Sequence, residues 1–125
     1  MKEILRLKLD QAQEALADAA GLLRDGAEPG YIINSIYYAF LYPVLGLLAA
    51  RNITATMQST AIALFEREFV QKGHFDQRYM DAIREAFDLK PSCACESPKK
   101  VTREDAERLF PLASEFLDKL RQTAA

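Results

Sequence analysis

Arg84 and Asp88 are the residues in this 125-residue chain whose types and spacing best suit chemistry. At i and i+4 they share one face of a helix, where a planar, permanently charged guanidinium could seat a phosphate while the carboxylate orients it. The same spacing also describes an ordinary helical ion pair, worth only about 0.3–0.5 kcal/mol when exposed. Lys90, Lys99, Lys100 and Arg103 follow closely and, with Arg84, could form a local phosphate-binding patch or a solvated charge cluster. Tyr37 and Tyr38, with Tyr42, bring phenols that could line a nucleotide cleft, or that could fill a core or a dimer interface. The sole histidine, His74, follows Gly73 and reads as a solvated or capping loop residue. Cys93 and Cys95 lie two apart, and even with His74 or Glu96 they make a poor zinc set, so reactive loop thiols are the better reading. No metal and no cofactor are expected.

These side chains need a scaffold, and its centre is Ile32–Leu48, apolar on nearly every side. A helix hydrophobic all round must sit among other helices. The stretch is short of the roughly 20 apolar residues of a membrane span, so no membrane is expected as partner. Pro43 within it removes an amide and predicts a kink at Ala39–Pro43. Ahead of it, Leu5, Leu9, Ala12, Leu16, Ala19 and Leu23 alternate by fours and threes, the seam of an amphipathic helix. Gly26 and Pro29 mark its end and the next start, so these two helices should be antiparallel neighbours. Thr54 or Thr56 is expected to cap a third helix with the stripe Met57, Ala61, Leu64, Phe65 and Phe69, closed by Gly73. Asp76 caps a fourth, with Tyr79, Met80, Ile83 and Phe87 buried, Arg84, Glu85 and Asp88 on its other face, and Pro91 as its stop. Residues 90–101 carry two prolines and no periodicity and read as a loop. Thr102–Asp105 then resembles a capping box, with Val101 as a hydrophobic staple, opening a fifth helix that carries Pro111. The expectation is one domain over residues 1–125, an all-α, up-and-down bundle with helices near 3–24, 29–50, 56–72, 76–89 and 102–121.

Composition bounds the function. Half the residues are hydrophobic and 27% are charged, the balance of a globular chain with a real core. A net charge of −2 provides no global field to recruit nucleic acid, so any RNA contact must be local. The first residues mix charges and lack the apolar run of a signal peptide, so a cytoplasmic location is expected. The apolar excess of Ile32–Leu48 predicts a homodimer across an isologous interface.

Asn34-Ser35-Ile36-Tyr37-Tyr38-Ala39-Phe40, followed by Leu64-Phe65-x3-Phe69-Val70-x2-Gly73 and Arg84-x3-Asp88, resembles the HEPN superfamily over almost the whole chain. The closest likeness is to small stand-alone members encoded beside a minimal nucleotidyltransferase in two-component, toxin–antitoxin-type systems. The resemblance implies a dimerising helical bundle that, in active members, cuts RNA without metal. This chain departs from the pattern at Ser35 and Gln58, where arginine and histidine are common in the family. After Arg84 the positions for the family's histidine hold Leu89, Lys90 and Pro91, and in the Arg-x3-Asp-Tyr variant Leu89 replaces the tyrosine. Cleavage through the 2′-hydroxyl profits from a group titrating near neutral pH, which arginine and carboxylate supply poorly. The expectation is therefore a binding module for nucleotide or RNA that partners a nucleotidyltransferase and does not cut. A metal-independent ribonuclease on an Arg84–Asp88 site and a purely structural dimer are the alternatives.

Overall fold

The computed structural model describes residues 2–91 and 101–124, and over these it is an all-α bundle of five helices without a strand. They are α1 (Glu3–Arg24), α2 (Pro29–Ala50), α3 (Gln58–Phe65), α4 (Gln77–Leu89) and α5 (Arg103–Ala124). Four of the local signals act as their chemistry requires. Gly26 adopts a left-handed φ of 70° beyond α1, and Pro29 opens α2, where its missing amide costs nothing. The Asp76 carboxylate accepts the Arg78 amide at 2.9 Å and caps α4. At α5 the Thr102 amide donates to Asp105 Oδ2 at 3.1 Å, while the Asp105 amide donates to Thr102 Oγ1 at 3.2 Å, a reciprocal capping box.

Helix α2 is the axis of the molecule. Ile32, Ile33, Ile36, Tyr37, Phe40, Leu41, Val44 and Leu48 are buried on several sides, against α1, α3, α4 and α5. With 22 residues, α2 is long and apolar enough to cross a membrane, but 61% of its most apolar window is buried inside the bundle, as a core helix requires. It runs as one helix through Pro43. Its closest companion is α1: a methyl group on Gly46 would stand 2.9 Å from Lys8 Cβ and 3.0 Å from Leu5 Cδ1, so only glycine admits this approach. Lys2 Nζ donates to the Ala50 carbonyl at 2.6 Å, and Ala15 meets Tyr38 farther along, a register that makes the two helices antiparallel. Arg103 bonds the Leu23 carbonyl and Arg121 the Leu9 carbonyl, so α5 is antiparallel to α1 as well.

The connection 51–57 corrects the expected start of α3. Neither Thr54 nor Thr56 caps it: the N-cap is Met57, without a side-chain bond. Instead the segment lays Ile53 and Ala55 on the core and carries the chain back along α2. As a result Gln58 begins α3 beside Tyr37, while Phe69 ends the region beside Arg51, and α3 runs in the same sense as α2. The third helix is also not regular to its end, because residues Glu66–Val70 form a π-helical turn. The Gln71 amide donates to the Glu66 carbonyl at 2.9 Å, and the extra residue in the turn leaves Phe69 and Val70 buried while Glu66 faces α4. Phe65, Phe69, Phe75 and Phe116 pack ring against ring at 5.5–6.3 Å beneath it.

Candidate phosphate cleft between the third and fourth helices

Because α3 is set back along α2, its face Ser59, Ile62 and Glu66 runs antiparallel to the α4 face Arg84, Phe87 and Asp88. Ser59, Ile62, Arg84, Phe87 and Asp88 enclose a cleft of about 160 Å³. The spacing on each helix explains the membership: 59, 62 and 66, and 84, 87 and 88, are steps of three and four on one helical face. Arg84 stands at the edge with about half of its side chain exposed, and its Nη2 donates to Glu66 Oε1 at 2.8 Å. The carboxylate that aims this guanidinium across the cleft thus comes from the π turn, a partner that the spacing along α4 does not reveal. Asp88 lines the same cleft one turn from Arg84.

The tyrosines separate. Tyr37 is fully buried and donates its hydroxyl to Gln58 Oε1 at 2.7 Å. Burial first, and the adjacent Tyr38 second, push its phenol far above the ordinary value, so it serves as a fixed donor. Its ring lies 5.8 Å from that of Phe87, and Lys90 Nζ sits 5.2 Å from the Tyr37 centroid and 5.3 Å from that of Phe87. Tyr37 therefore supports the cleft wall from behind. Tyr38 does not line the cleft. With Tyr42 it faces a separate polar groove, about 290 Å³, whose other walls include Glu14, Asp18, Asn34 and Ser35.

Other sequence candidates also part company. Glu85, placed by periodicity on the face of Arg84 and Asp88, turns toward α5 and pairs with Arg108, whose Nη1 donates at 2.8 Å. Arg103 is engaged by Glu107 and by the Leu23 carbonyl at the end of α1. Besides Arg84, the cation that these contacts bring to the cleft wall is Lys90, over the Phe87 ring. His74 stands away from the cleft, in a pocket with Arg51 and Phe69. Lys99 and Lys100, and Cys93 and Cys95, lie outside the described residues. No group of three or more metal-ligating side chains occurs among the described residues. Glu66, Ser59 and Lys90 complete the site. The apolar stripe Met57, Ala61, Leu64, Phe65 and Phe69 was visible in the sequence, but the separate face Ser59, Ile62 and Glu66, and the α4 residues it meets, were not.

No family model matches the chain. It is similar to a protein named "Putative toxin MJ0142" from Methanocaldococcus jannaschii, with 24% identity over 121 residues, covering 97% of this chain and 82% of the relative. It is also similar to a protein named "UPF0332 protein" from Thermotoga maritima, with 28% identity over 112 residues, covering 90% of this chain and 84% of the relative. Both alignments cover most of this chain and most of each relative.

Proposed function

We propose that this chain is a HEPN-like helical module that binds RNA or nucleotide phosphate in the α3–α4 cleft without cutting, as one component of a toxin–antitoxin-type pair with a minimal nucleotidyltransferase. The observation that carries this reading is Arg84: a half-exposed guanidinium, aimed across the cleft by Glu66, with Asp88 and Ser59 beside it. A phosphate oxygen would take the guanidinium edge that Glu66 leaves free, with the Ser59 hydroxyl as a further donor. The toxin name of the archaeal relative supports the two-component context, and the Asn34–Phe40 and Arg84-x3-Asp88 motifs support the HEPN part of it.

What the cleft contains supports binding without cleavage. Cutting RNA through its own 2′-hydroxyl calls for a group that takes a proton near neutral pH, and the only histidine in the chain lies in another pocket. Arg84 contributes charge and geometry and moves no proton.

The test uses a fluorescent RNA oligonucleotide, and ATP as competitor, with the full chain. Arg84→Ala should weaken RNA binding about tenfold or more, the loss expected of a charge-assisted contact, with an unchanged melting temperature because the side chain is half exposed. Arg84→Lys should recover part of the affinity, since charge persists and the bidentate fork is lost. RNA incubated in chelator with wild-type protein should be cut no faster than with Arg84→Ala. Arg84-dependent cleavage in that assay would replace this reading by a metal-independent ribonuclease using Arg84 and Asp88.

A further inference from the structure

A second pocket lies at the opposite end of α3, and nothing in the cleft accounts for it. Leu5, Leu47, Ala50, Phe75 and Leu120 make an apolar floor, and Arg51, Phe69 and His74 stand at its mouth, around a space of about 190 Å³. Four elements meet here: α1 supplies Leu5, the end of α2 supplies Leu47 and Ala50, the turn after α3 supplies Phe69, and α5 supplies Leu120. The position of Arg51 is unusual. Its guanidinium carbon lies over the Phe69 ring, 4.3 Å from the centroid, a cation–π contact that uses none of its N–H donors on an acceptor. Among the described residues no carboxylate lies within ion-pair distance of Arg51, although most other arginines of the chain have one. His74 packs its ring edge-on against the same phenylalanine, with centroids 6.3 Å apart, and adds an imidazole N–H to the rim. Lys2, held 2.6 Å from the Ala50 carbonyl, adds positive charge beside it.

We propose that this pocket binds a small apolar carboxylate, with the hydrocarbon body on Leu47, Ala50 and Leu120 and the carboxylate on the free edge of Arg51. Size supports one aromatic ring or a short acyl chain: an apolar cavity of about 150 Å³ is enough to hold benzene. Charge supports the carboxylate, because an arginine held over a ring and without an acid partner among the described residues offers its donors in the fork that a carboxylate fills. The site is independent of the α3–α4 cleft, and its failure would leave the phosphate reading untouched.

The experiment is an NMR titration of the full chain, following the methyl groups of Leu5, Leu47 and Leu120 and the Arg51 side-chain N–H, with benzoate, benzyl alcohol and acetate as probes. Benzoate should shift these signals saturably, with a dissociation constant on the order of 1 mM for so few atoms. Benzyl alcohol should bind about tenfold more weakly, because it fills the floor without meeting the charge, and acetate should not saturate. Arg51→Ala should bring benzoate down to the level of benzyl alcohol, and Arg51→Lys should fall between. Ala50→Phe should fill the pocket and remove benzoate binding, with helicity and melting retained. Arg84→Ala should bind benzoate as wild type does. The proposal is overturned if benzoate causes no saturable shift at these groups, if benzoate and benzyl alcohol bind equally, or if Arg51→Ala leaves benzoate binding unchanged.

Discussion

At the scale of single residues, the cleft depends on a balance between Arg84 and Glu66, 2.8 Å apart. The carboxylate aims the guanidinium, yet its charge also opposes an incoming phosphate a few ångströms away. Glu66→Gln keeps an acceptor for Arg84 and removes the charge, so RNA or nucleotide phosphate should bind about threefold more tightly at low salt, with the gain shrinking as salt rises. Titrations at two ionic strengths check this, and weaker binding by the variant would mean that aiming outweighs repulsion. A second residue acts purely through shape. Gly46→Ala would gain about 1 kcal/mol of helix propensity, but its methyl would collide with Lys8 Cβ, on the neighbouring backbone and so unable to swing away. Chemical denaturation should show a net loss of about 1–2 kcal/mol, because overpacking at a rigid helix contact outweighs propensity.

At the scale of elements, α5 is anchored at its start by the exchange between Thr102 and Asp105. The backbone amide of Thr102, and then its hydroxyl and Arg108, hold the Asp105 carboxyl below the usual aspartate range against a smaller opposing effect of burial. A carboxyl whose pKa is lower folded than unfolded stabilises the fold fully above the unfolded value, about 3.9, and loses that stabilisation as pH falls through the folded one. Asp105→Ala should therefore lower the melting temperature at pH 7, with a cost on the order of 1 kcal/mol for the lost box, and the gap between variant and wild type should narrow in acid. Thermal melts of both proteins across the acid range check the prediction; a gap that stays constant with pH would place the cost in packing. The π turn is the other element with a defined task, since it directs Glu66 toward α4 while Phe69 and Val70 remain in the core.

At the scale of the whole molecule, the apolar surface of Ile32–Leu48 is largely used within one chain rather than left for a second copy. The apolar residues of Ile32–Leu48 are buried or half-buried within one chain, and among the described residues the large hydrophobic side chains left exposed are Ile4, Leu7, Tyr31 and Met57. Ile4 and Leu7 lie three residues apart on α1, the spacing of one helical face. We propose self-association through that end of α1. Light scattering at high micromolar concentration should give twice the 14.1 kDa protomer mass, and Leu7→Glu should return it to one. A monomeric wild type would remove the dimer from consideration.

The sequence by itself determined the number and order of the helices and the ends of those that carry local caps, but not the start of α3 or its π turn. Apolar steps of three and four, Gly26, Pro29, Asp76 and the Thr102–Asp105 box are local signals, and local signals survive without knowledge of neighbours. It also determined that Ile32–Leu48 would be the core, since an all-round apolar helix has nowhere else to go. Only the tertiary structure decided which helix faces meet. The return of segment 51–57 along α2 depends on burial of Ile53 and Ala55, not on any turn signature, and it sets Gln58 beside Tyr37 and Ser59 beside Asp88. The same setting paired Arg84 with Glu66, 18 residues away, sent Glu85 to Arg108 and Tyr38 to the far groove, and brought Arg51 onto Phe69. Each of these is a long-range pairing between faces that periodicity marks only as buried or exposed, and their partners are fixed by packing of the whole bundle.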